Sequence, residues 1–190
     1  MLSMVLGSCA SYEAIALGNP SKELLQFLDG KEGVGVVAKE LSRDDCNKYF
    51  DRDVIAEGYQ PVQLYIHNNS KKNYAFSLNR IELPLAKAEE VAQKVHTSTV
   101  GRAVGYSVGA LLLWPLAIPA IVDGIGSARA NDELDRDFTV KAAKDQTVFA
   151  YSNVNTVIFV PIEEYRSDFT ISLLDQDSNE VEKFSVVARK

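Results

Sequence analysis

The sequence predicts a mainly β fold with an α insertion: an immunoglobulin-like antiparallel β-sandwich interrupted by a glycine-rich helical hairpin. Two observations carry that expectation. Short runs rich in β-branched and aromatic residues recur in both halves of the chain, separated by polar turns. Between residues 86 and 138 the pattern changes to a helical period, and glycine and alanine become frequent.

In chain order, residues 1–20 form an N-terminal segment and 21–190 the sandwich, with the insertion at about 86–138. Ser21 is a good N-cap, so Leu24, Leu25, Phe27 and Leu28 imply a short helix that Gly30 ends. Val34, Val36 and Val37 open the first strand. Asp44, Asp45, Asp51 and Asp53 read as solvated loop carboxylates, since calcium needs about six to eight converging oxygens. Pro61 opens the clearest strand, where Val62, Leu64 and Ile66 alternate with Gln63, Tyr65 and His67, giving one buried face and one open face. Asn68-Asn69-Ser70 matches a glycosylation sequon and also reads as a turn, which returns the chain into partner strands at 74–78 and 81–83. Further strands follow at 147–151, 156–160, 169–174 and 181–188, the last two joined by an acidic turn from Asp175 to Glu180. The Cys…Trp…Cys spacing of antibody domains is absent, so a sandwich of this kind is divergent.

Within the insertion, Ala88, Val91, Ala92 and Val95 line one face of a helix over 86–95. Residues 103–122 then carry no charge, a length that qualifies as a transmembrane candidate. Trp114-Pro115 and Pro119 divide the run, and its halves as helices would span only ~16 and ~10 Å against a ~30 Å hydrocarbon core. Gly101, Gly105 and Gly109 recur every four residues, as do Ala120, Gly124 and Ala128, each triplet making a smooth stripe for close helix approach. The expectation is a hairpin with its turn at Trp114-Pro115 and a second helix running into the charged stretch at 132–137. It either meets membrane or partner helices, or packs as a helix pair on its own sheet.

Chemistry is harder to find. A net charge of -6 and a pI near 5 argue against nucleic-acid binding, which needs clustered Lys and Arg. The two cysteines, Cys9 and Cys46, are too far apart in sequence for a C-x2-C zinc motif. His67 and His96 read as surface histidines outside any triad. Gly124-Ile125-Gly126 begins like a dinucleotide fingerprint but lacks the preceding strand and the third glycine. Glu163-Glu164 reads as a solvated pair. The expectation is a non-enzymatic protein without cofactor or metal.

At the N-terminus, Leu6-Gly7-Ser8-Cys9 resembles the lipobox of bacterial lipoproteins, in which the cysteine is lipidated. Met1 to Ser8 is short for a signal peptide and lacks a basic residue, so the reading frame is expected to start upstream. Gly58-Tyr59-Gln60-Pro61-Val62 with the Asn68-Asn69-Ser70 turn, and Trp114-Pro115-Leu116-Ala117-Ile118-Pro119-Ala120 with Asp123-Gly124, resemble a group of uncharacterised bacterial lipoprotein-like proteins. The glycine stripe is similar to the glycine zippers of envelope proteins. The resemblance implies an envelope location, a lipid anchor at Cys9, and contact of Gly101, Gly105, Gly109, Trp114, Pro115, Pro119 and Gly124 with membrane, an envelope protein or a second copy of the chain. It carries no activity over. The alternative expectation is a soluble domain binding a small ligand or peptide, its hairpin buried in its own core, and cytoplasmic if the lipobox is accidental.

Overall fold

The computed structural model describes residues 12–31, 33–96 and 117–190, the side chains at 29, 31 and 117–127 excepted. Among the described residues eight strands form two four-stranded antiparallel sheets. The first sheet has the order β1 (Asp29–Lys31), β2 (Val34–Glu40), β3 (Tyr59–Asn68) and β6 (Ser152–Pro161). The second has β5 (Gln146–Val148), β4 (Tyr74–Ile81), β7 (Asp168–Asp175) and β8 (Val181–Val187). Among the described residues the α-helices are α1 (Lys22–Leu25), α2 (Arg43–Phe50), α3 (Ala88–Lys94) and α4 (Ala117–Lys141).

Alternation builds the inter-sheet core. Val62, Leu64 and Ile66 of β3 and Ile158 and Val160 of β6 meet Phe76 of β4, Ile171 and Leu173 of β7 and Phe184 of β8, all buried. Each large side chain so covered contributes about 1.5–3 kcal/mol by leaving water. The residues after β8 close one corner of the sandwich. Ala188 N–H donates to Ser167, while Arg189 N–H donates to Ala38 and its carbonyl accepts from Glu40, beyond the reach of the short β1.

The structure corrects the sequence reading in four places. The open face of β3 is covered: Tyr59 is buried because α2, α3 and the C-terminal half of α4 lay a second core against the first sheet, and Gln63 is buried where its amide donates to Gly18 and Asn155. There Phe50, Leu134, Phe138 and Phe159 are buried, with the Phe50 and Phe138 ring centroids 4.6 Å apart. The acidic loop is largely α2, because Ser42 and Asp45 form a capping box in which each side chain accepts the other's backbone N–H. Asp51 then ends that helix in the left-handed region. The Asn68 turn does not return β3 onto a neighbour in its own sheet; β4 crosses to the second sheet and pairs with β5 and β7. Pro61 stands inside β3, whose ladder starts at Tyr59. On the β2 side only its carbonyl is used, accepting from Leu41 N–H, so the missing donor leaves no gap there.

Candidate functional site at the base of the insertion

Both ends of the insertion land on the free edge of β6. Ala86 N–H donates to Phe159 at 2.8 Å, and Ala143 N–H donates to Val157 at 2.7 Å. The Thr156 hydroxyl adds a 2.9 Å bond to the Lys141 carbonyl. An edge strand is a row of unpaired donors and acceptors that must be covered. Here the departing and returning chain covers it, at positions two residues apart. Above that edge α3 and α4 pack on each other, and His96 Nε2 lies 2.6 Å from Asp135 Oδ1.

A buried cation ties this region to α2 and to the N-terminal strap. Lys141 Nζ is paired with Asp137 Oδ2 at 2.5 Å, donates to the Tyr49 carbonyl, and stands 5.5 Å from the centroid of the Phe50 ring. Removing one member of such a pair would strand the other charge in an apolar layer. The Tyr12 hydroxyl donates to the same Asp137 oxygen at 2.5 Å, and burial, reinforced by that carboxylate, raises its pKa far above the phenol range. From Tyr12 the strap crosses the first sheet, where the Gly18 carbonyl accepts from Gln63 at 2.8 Å and from Asn155 at 3.1 Å.

Beside the edge lies a cavity of about 390 Å³, open on one side. Leu78, Leu85, Ala142, Ala143 and Val157 give it an apolar wall, and the exposed Lys87, Glu89 and Lys144 stand at its rim. Sequence reasoning missed it. Its only trace is the run of alanines where the insertion joins the sheets, Ala86 and Ala88 on one limb and Ala142-Ala143 on the other.

The residues singled out from sequence fall unevenly. Cys9, Gly101, Gly105, Gly109, Trp114 and Pro115 lie outside the described residues. Pro119 and Gly124 lie in the first half of α4. Pro119 does not break that helix, because it occupies the first turn, where backbone N–H groups have no intrahelical acceptor. Gly124-Ile125-Gly126 is helix interior, so it makes no phosphate-cradling turn. His67 stacks on Tyr65 with ring centroids 6.3 Å apart, and His96 faces Asp135. Cys46 is a free thiol, and burial pushes it up to about 12. Asn68 is fully buried, its amide donating to Lys72, Val148 and Phe149 carbonyls and its oxygen accepting from Ser70, so the sequon acts as a turn. Glu163 and Glu164 are exposed on a single 3-10 turn. Among the described residues no group of three or more His, Cys, Asp or Glu could hold a metal ion, and no helix is long and apolar enough to cross a membrane.

The chain matches no protein-family model, and neither the curated proteins nor the solved structures include a match.

Proposed function

We propose that this protein is a non-enzymatic, envelope-associated lipoprotein anchored through Cys9, a structural or interaction module built on a divergent immunoglobulin-like sandwich. Its insertion is a glycine-striped helical hairpin that meets membrane or partner helices. The observation that carries this reading is the pairing of Ala86 and Ala143 with neighbouring positions of β6. A segment that leaves and re-enters within two rungs of one strand starts and finishes on one side of the domain, as a hairpin must. The helical limb α4, which runs into the charged stretch at 132–137, supports the same reading. So does the strap, since Tyr12 is fixed to Asp137 only three residues after Cys9, and three extended residues reach at most ~11 Å. A lipid on Cys9 would hold the domain close against the bilayer.

The test is metabolic. The gene, expressed in bacteria with its native upstream sequence and labelled palmitate, should yield a labelled membrane-fraction product, and Cys9→Ser should abolish the label. An unlabelled wild-type protein that stays in the cytosolic fraction would overturn the reading.

A further inference from the structure

We propose that the cavity at the base of the insertion binds a single-chain amphiphile with an anionic head, an acyl carboxylate, with its tail on the alanine-rich wall and its head between Lys87 and Lys144. This stands whether or not Cys9 carries a lipid. The cavity volume of about 390 Å³ lies at the low end of small-ligand sites, which suits one chain better than a diacyl or polycyclic molecule.

The chemistry of the walls excludes most other occupants. A sugar or a peptide needs hydrogen-bond partners along its length, and the donors of the wall itself are engaged, leaving the charged groups at the rim. Ala86 and Ala143 give their N–H groups to β6, and the Thr139 hydroxyl donates to the Asp135 carbonyl. What remains is apolar surface from the half-buried Leu78, Leu85, Ala142 and Ala143, whose contact with water an alkyl tail would relieve.

The head-group sign follows from the rim. Lys87 stands at the root of one limb and Lys144 just past the root of the other; both are exposed and neither makes an ion pair among the described residues. Among the cavity-lining residues Glu89 is the one carboxylate against two lysines, and the neighbouring Asp145 is engaged by the Ser77 hydroxyl and the Leu78 N–H, so the lining itself carries net positive charge on a chain whose net charge is -6. A carboxylate is favoured there and a quaternary ammonium is opposed.

The experiment is calorimetric titration of the full chain, in detergent-free buffer, with dodecanoate and separately with dodecyltrimethylammonium, both below their critical micelle concentrations. Dodecanoate should bind saturably at one per chain and about tenfold more tightly than the cation, as expected of two solvent-exposed ion pairs, and the preference should shrink at high salt. Lys87→Glu with Lys144→Glu should reverse the preference while leaving the melting temperature unchanged. Ala142→Phe should fill the cavity and abolish binding of both. The double-lysine variant changes only exposed positions, so its result stands even if Ala142→Phe fails to fold. Absence of saturable binding, as when the chain's own residues fill the cavity, would overturn the proposal. So would equal affinity for the two head groups, or a preference that survives both variants.

Discussion

Asp175 shows how one carboxylate can organise the end of a sheet. It is buried where β7 turns toward β8; its Oδ1 accepts from the backbone of Asp177 and Ser178, and its Oδ2 pairs with Lys72 at 3.0 Å. The backbone bond from Asp177, together with Lys72, holds its pKa down to about 2. A carboxyl depressed in the folded state adds stability above its unfolded pKa, near 3.9, and loses it as pH falls through the folded value. Thermal melts should therefore show a fall in stability between about pH 4 and 2, and Asp175→Asn should have a lower melting temperature at pH 7 with a shallower fall across that window. An Asn variant with the wild-type acid profile would show that other carboxylates carry the effect. From sequence, the turn itself was legible in the polar run that follows Leu174. The burial of its first residue was not, because that depends on Lys72 arriving from another turn.

At the scale of elements, α2 shows what hydrophobic pattern misses. Arg43-Asp44-Asp45-Cys46-Asn47-Lys48 offers almost no apolar stripe, so the segment reads as loop; the signal was the spacing of Ser42 and Asp45. Desolvation would raise the Asp45 carboxyl, but hydrogen bonds from Lys39 and from Ser42 outweigh it, and the group stays ionised and capping. Ser42→Ala should cost about 1 kcal/mol, or roughly 2–4 °C in melting temperature for a chain of this size, with an unchanged denaturant slope. An unaltered melt would mean that Asp45 and Lys39 hold the helix start without the hydroxyl. Strands were easier to find than helices, because period-two alternation is intrinsic to them: β2, β3, β6, β7 and β8 all fall on expected runs. Their partners were harder. The exit of β4 to the second sheet is decided by Tyr74 and Phe76 packing opposite β3, a long-range contact invisible in local pattern.

For the whole molecule, the first sheet is a wall shared by two cores. Its even-numbered β3 and β6 residues face the second sheet, and Tyr59, Val157 and Phe159 face the helices. Neither core has a wall of its own on that side, so the two should melt as one. Phe138→Ala, which removes a ring stacked at 5.5 Å on Phe159, should cost about 3–5 kcal/mol and shift a single transition seen alike by far-ultraviolet dichroism and tyrosine fluorescence. Two separated transitions would show that the helical layer unfolds independently. The mainly β architecture, with helix where the insertion lies, was legible from composition and period. A helix pair on its own sheet was one of the two options the sequence left open; which face it covers was not legible, since that requires Phe138 and Leu134, far along the chain, to find the odd face of β6.

The two landing points on β6 also bear on how the molecule can change over time. Where a chain departs and returns through adjacent rungs, the intervening length is a free variable for the sheets. Adding or removing helical turns between Val95 and Ala128 displaces neither anchoring bond and leaves the strand registers as they are. Loop-closure entropy grows only with the logarithm of that length, so even a doubling adds about 0.6 kcal/mol. The reach and surface chemistry of the insertion can therefore be rewritten while the sandwich beneath it keeps its form.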